Sequence, residues 1–248
     1  MSTWISKSAL AGVLLLAGCG GLGPSGTAPV RTVFVTTDQV TIAGPDGFCI
    51  DPDSTRESDD SAFVLLGNCA VISNRRSAGQ PDVNAVLTAS ISEADPDQSL
   101  RDAIPQLDTF FSSDEGRQLL SRAGDSETIE LLNSFHQGDV FYLRASDSSA
   151  SEIQNVSADY WRSYFDIGDR IATLTVLGAA DNPIDEETSL ATLRAFTDTV
   201  LAANLGLESG VSALPPIDSP APAAEAPRRP SGNGTLWNVG LFRRIMGN

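Results

Sequence analysis

Hydrophobic and polar positions change period several times along the chain, and each change marks a predicted element. Val33-Phe-Val35 and Val40-Thr-Ile42 are short β-branched runs. A turn at Gly44-Pro-Asp-Gly47 leads into a strand at Phe48-Cys-Ile50, since Gly and Pro together punctuate regular structure. Residues 51–61 read as a polar loop, residues 62–66 and 70–73 as strands, and residues 83–92 as a longer strand. The period then changes. Leu100, Ala103, Ile104, Leu107, Phe110 and Phe111 recur at helical spacing behind the capping residues Asp97 and Ser99. Pro105 lies inside this pattern and is expected to kink the helix or move its start later, because proline has no backbone N–H. A further helical turn or two follows over residues 113–120.

Strands resume at 128–135 and 140–145 around Gln137-Gly138-Asp139, and again at 160–165 and 170–177 around Ile167-Gly168-Asp169. In the last of these Ala172, Leu174 and Val176 alternate with Thr173 and Thr175, the two-residue period of a strand with unlike faces. Glu186-Glu187 opens a helix with Leu190, Leu193, Phe196, Thr197, Val200 and Leu201 on one side and Gly206 as its stop. Hairpin-joined strands without strict strand–helix alternation predict an α+β domain: a mostly antiparallel sheet with two main helices packed on one face. The order of elements is similar to that of Mog1/PsbP-like proteins, and that resemblance implies an α/β/α sandwich.

The first residues have a different texture. Lys7 is followed by an apolar run from Ala9 to Ala17 and by the small residues Ala17-Gly18 before Cys19. A positive start, a short apolar stretch and small residues at the cut mark a signal peptide over residues 1–18. The run is about half of the roughly 20 residues a membrane span needs. Leu16-Ala17-Gly18-Cys19 resembles the lipobox of bacterial lipoproteins. The resemblance implies that the Cys19 sulfur receives a diacylglyceryl group and that the new amino terminus is acylated, with palmitate-type chains holding the protein on a bilayer. It also implies, through Gly20 in the sorting position, an outer-membrane anchor facing the periplasm, with the inner membrane as the alternative. Gly18-Cys-Gly20-Gly-Leu-Gly23 spells GxGxxG, but a dinucleotide site needs a strand before and a helix after, and this copy straddles the cut and runs into Pro24.

Charge narrows the classes of partner. Residues 31–210 hold 30 acidic side chains against 11 arginines, within a chain of formal net charge −16. Such a body repels phosphate backbones, so nucleic acid is not an expected partner. With Cys19 lipidated, Cys49 and Cys69 remain. An even pair in an exported chain predicts a disulfide. A metal or redox pair is the weaker alternative, since the chain has one His and no CxxC.

The expected organisation is a tether over residues 19–30, one α+β domain over 31–210, a Pro-rich disordered linker over 211–233 and a terminal peptide over 234–248. That peptide carries Leu236, Trp237, Leu241, Phe242, Arg243, Arg244 and Ile245. Bulky apolar side chains beside two arginines suit docking into a groove on an envelope protein or contact with lipid. Packing back onto the domain, or no role at all, are the plainer readings.

The scan for catalysis is negative. His136 is the sole histidine and is expected in the exposed turn of a hairpin. No GxSxG elbow or P-loop occurs. Asp51-Pro-Asp53-Ser-Thr55-Arg-Glu57 has oxygen ligands at alternate positions, but Arg56 and Ala62 stand where a calcium loop needs Gly and Glu. Asp181, Asp185, Glu186 and Glu187 read as a helix-start cluster. The sequence therefore predicts no catalytic residue, metal or cofactor. It predicts a non-enzymatic, lipid-anchored binding or adaptor component of the cell envelope. The alternative is a small-molecule or carbohydrate binding domain, or a hydrolase, whose site is scattered over the fold.

Overall fold

The computed structural model describes residues 28–37, 40–94, 99–149 and 155–205. Strands β1 (Thr32–Val35) and β2 (Val40–Ala43) form a two-stranded ribbon. Strands β3 (Phe48–Glu57), β4 (Ala62–Asn68), β5 (Ala85–Glu93), β6 (Ile129–Gln137), β7 (Val140–Asp147), β8 (Val156–Ile167) and β9 (Arg170–Ala179) form one sheet. Its order is β3-β4-β5-β9-β8-β7-β6, antiparallel throughout. Helices α1 (Cys69–Ile72), α2 (Leu100–Ser112), α3 (Asp114–Leu120) and α4 (Glu186–Ala203) complete the described elements.

The sheet is the middle layer. On β8, Trp161, Phe165 and Ile167 face one core, with Leu193, Phe196 and Val200 of α4 and the β1–β2 ribbon. Tyr160 and Tyr164 face the other, with Leu100, Leu107 and Phe111 of α2 and Leu120 of α3. Phe111 stacks between Phe141 and Tyr164, its ring centroid 5.8 and 5.2 Å from theirs. The antiparallel α+β class is as expected; the two main helices lie on opposite faces, which differs from the one-face packing read from periodicity and agrees with the α/β/α layering that the resemblance implies. A helix pattern shows which stripe is apolar, not which side of a sheet receives it. The cue lay in β8: Tyr160-Trp161 and Tyr164-Phe165 are adjacent bulky residues, and adjacent strand residues point to opposite faces.

Several predicted elements shift. Residues 51–57 continue β3 along the sheet edge, with a bulge between Asp51 and Arg56, where a loop is expected; edge pairing is made by backbone, so polar side chains do not prevent it. Residues 69–72 form the single-turn helix α1, not a strand, because the Asn68 side chain accepts from Ala70 N and caps it. Helix α2 starts at Leu100 and runs through Pro105. Its first amides are met by the Ser99 hydroxyl and by the Asp166 carboxylate, which accepts from Leu100 N and Arg101 N. Pro105 is exposed, so the carbonyl its missing N–H leaves unmatched faces water. His136 lies in β6, paired with Phe141, rather than in the turn.

Helix α4 begins at Asp185, whose carboxylate accepts from Thr188 N. It ends before Gly206, which lies outside the described residues. Asn204 closes it, accepting from Thr41 N at 2.9 Å and donating to Thr41 O and Val200 O at 2.7 Å each. One carboxamide thus ties the β1–β2 ribbon to α4. Asn204→Ala leaves the Thr41 amide and carbonyl without that partner and is expected to cost about 1–3 kcal/mol. Urea unfolding of the variant measures this; a change below about 0.5 kcal/mol contradicts it.

Candidate functional site

Helices α2 and α3 pack on the β6–β8 side of their face. Beyond β8 the inward residues change from apolar to hydroxyl-bearing, and the strand register places them in two rows. One row runs Arg162–Thr175–Thr88–Leu65 across β8, β9, β5 and β4. The next runs Tyr164–Thr173–Ser90–Phe63–Arg56 across β8, β9, β5, β4 and β3. Directly opposed residues share a face, so the rows lie side by side, and Arg162, Thr175, Thr88, Thr173, Ser90, Phe63 and Arg56 from them line a pocket with Ser58, Ser61 and Ser92. Its volume is about 80 Å³.

Arg162 forms the pocket's buried end, only 3% exposed. Its Nε donates to Thr175 Oγ1 at 3.1 Å and its Nη1 to Tyr164 Oη at 3.4 Å. The guanidinium lies 4.7 Å from the centroid of the Tyr160 ring, a distance at which the ring face attracts a cation. Burial works against the charge, but Tyr164 and Tyr160 outweigh it and hold the arginine above its ordinary value. Burial also pushes the Tyr160 and Tyr164 phenols up. The pocket therefore keeps a fixed positive charge flanked by protonated phenols at neutral pH.

A second guanidinium shares the Tyr160 ring, with Arg122 at 5.7 Å from its centroid. Arg122 Nε lies 3.9 Å from Asp147 Oδ2, both side chains almost wholly buried. The Tyr160 hydroxyl donates to Leu120 O. The chain Asp147–Arg122–Tyr160–Arg162–Tyr164 thus holds Arg162, its one member that lines the pocket. A separate depression is lined by Arg101, Asp139, Asp166, Asp198 and Tyr142 and is crossed by the Arg101–Asp139 ion pair at 2.8 Å.

The residues singled out by sequence fall in three groups. Cys49 and Cys69 are joined as a disulfide with their Cα atoms 4.7 Å apart. Cys19, Leu236, Trp237, Leu241, Phe242, Arg243, Arg244 and Ile245, the GxGxxG copy and the Pro-rich linker lie outside the described residues. The acidic segments have local partners. Asp51 accepts from Asp53 N and from the Ser54 hydroxyl, and Arg56 donates to Asp53 O and Thr55 O. Glu186 pairs with Arg144 at 2.5 Å. Among the described residues no cluster of three or more His, Cys, Asp or Glu is placed to hold a metal, and no helix is long and apolar enough to cross a membrane.

Sequence reading missed Arg162, Thr88, Ser90, Thr173 and Thr175 as a group. The available signal was an arginine inside the aromatic run Tyr160-Trp-Arg-Ser-Tyr-Phe165. A charged residue at a core position needs a reason.

No family model matches the chain, and no curated protein matches it. Among solved structures it is similar to the solution structure of cyanobacterial PsbP (CyanoP) from Synechocystis sp. PCC 6803, at 15% identity. That match covers 76% of this chain and 96% of the other, with a TM-score of 0.37.

Proposed function

We propose that this chain is a lipid-anchored envelope protein whose domain binds its target, using the hydroxyl-lined half of the sheet face. The supporting observation is the pair of cross-strand rows around Arg162, in which a buried cation and neutral hydroxyls line one pocket. Binding sites are concave and carry a few placed polar groups, and these have that character. The lipobox at Cys19 carries the anchoring half of the proposal, and two or more acyl chains hold a protein stably on a bilayer. The apolar and basic peptide over residues 234–248 supplies a second contact, through Trp237 and Phe242 above all. The reading is non-enzymatic and rests on the fixed charge and the hydroxyl donors that the pocket offers a ligand.

Crosslinking capture from intact envelopes tests this, comparing the full chain with Cys19→Ser and with a chain truncated after Leu214. The expected result is one defined partner for the full chain, weaker capture after truncation, and loss of the protein from the membrane fraction in Cys19→Ser. Capture of nothing by any version overturns the adaptor role. Retention of Cys19→Ser on membranes overturns the lipid anchor.

A further inference from the structure

We infer that the pocket over Arg162 receives a phosphate group carried by the ligand; the inference rests on the reading of this face given above. Charge is the first argument. The charged residues lining the pocket are Arg56, Arg162 and Glu57, and the Glu57 carboxylate accepts from Thr36 N at 2.8 Å. A domain with 30 acidic residues against 11 arginines over residues 31–210 therefore presents a local positive site here. The acidic body repels anions at a distance, but screening confines that repulsion to about 8 Å at physiological salt. Inside the pocket the near charges dominate.

Geometry is the second argument. Thr175, Tyr164 and the Tyr160 ring fix the Arg162 guanidinium before any ligand arrives, so little side-chain freedom remains to be lost on binding. Hydroxyls line the same space beside it: Thr88 and Ser90 on β5, Thr173 on β9, and Ser61 before β4. A planar carboxylate is satisfied by a guanidinium fork alone. Hydroxyl donors next to the guanidinium can meet the further oxygens that a phosphate carries and a carboxylate lacks. Size is the third argument. At roughly 10–15 Å³ of cavity space per water, a cavity of about 80 Å³ admits a head group of several heavy atoms, with the rest of the ligand outside, beyond Arg56 and Phe63.

The test is calorimetric titration of the full chain in detergent with inorganic phosphate and, at matched ionic strength, with acetate. Saturable phosphate binding is expected, with acetate at least tenfold weaker. Arg162→Lys keeps the charge and removes the fork, and a tenfold or greater loss is expected. Because Arg162 is buried, the rim double variant Ser90→Ala with Thr173→Val serves as the second probe and is expected to weaken phosphate about three- to tenfold with unfolding unchanged. Absence of saturable phosphate binding, equal binding of acetate, or binding indifferent to these variants overturns the inference. Partner capture that persists under any of those outcomes, and is weakened by Ser90→Arg, leaves the binding face standing. Capture indifferent to Ser90→Arg overturns the face itself.

Discussion

Asp147→Ala is expected to lower the unfolding free energy by about 3–5 kcal/mol, as removal of one member of a buried ion pair does. Asp147 Oδ2 accepts from Arg122 N at 2.7 Å and Oδ1 from Ser149 N at 2.9 Å. Its loss leaves two inner amides unmatched and the Arg122 charge buried without its carboxylate. Burial already pulls Arg122 below its ordinary value. For Asp147 burial pushes upward, but the hydrogen bonds from Arg122 and Ser149 outweigh it and hold the carboxyl below 3.8. The folded value is the lower one, so this stabilisation is complete above the unfolded value and fades as pH falls through the folded value. Asp147→Asn keeps one acceptor oxygen, so one of the two amides loses its partner, and it has no charge to lose. Urea unfolding between about pH 2.5 and 7 is therefore expected to show a steeper acid loss in the parent than in Asp147→Asn, on either side of the ordinary carboxylate value near 4. Identical pH slopes would show that Asp147 is not the acid-sensitive group.

Loss of the disulfide is expected to have the next largest effect. Cys49 and Cys69 are 20 residues apart in sequence, and closing such a loop is worth about 3 kcal/mol in the chain-entropy model. The bond fastens α1 to the edge strand β3, where Cys69 N already donates to Gly47 O. For a domain of this size about 3 kcal/mol corresponds to roughly 6–12 °C in Tm. The double variant Cys49→Ala with Cys69→Ala, or the parent under a reductant, should show that drop in a thermal scan. The Asp147 and disulfide effects should add, because the two sites lie in different parts of the domain and share no partner. A drop under 2 °C would mean that the β3–β4 end holds without the bond.

What the sequence disclosed was local. Gly138 and Gly168 mark their hairpins because both adopt positive φ, 58° and 57°, which glycine takes without steric cost. The apolar stripe Leu193, Phe196 and Val200 of α4 is buried as its spacing implies. The disulfide followed from the two cysteines that remain once Cys19 is set aside as the expected lipidation site. What stayed hidden depends on pairing over distance. Arg56, Phe63, Ser90, Thr173 and Tyr164 become one row only through four strand pairings, and they lie in three separate stretches of sequence, at 56–63, 90 and 164–173. Position 204 was equally silent, because an Asn after a helix reads as a stop rather than as a clasp on Thr41. The opposite placement of α2 and α4 was half-written in the adjacent aromatics of β8, Tyr160-Trp161 and Tyr164-Phe165, which point to opposite faces.

The central claim is that the hydroxyl-lined half of the sheet face, not the α4 side, meets the ligand. Site-specific photocrosslinking in intact envelopes tests it most directly, with the photoreactive residue placed at Ser90 in one variant and at Ala195, on the exposed side of α4, in another. A discrete adduct from Ser90 and none from Ala195 is the expected result. An adduct from Ala195 alone, or equal adducts from both, would contradict it.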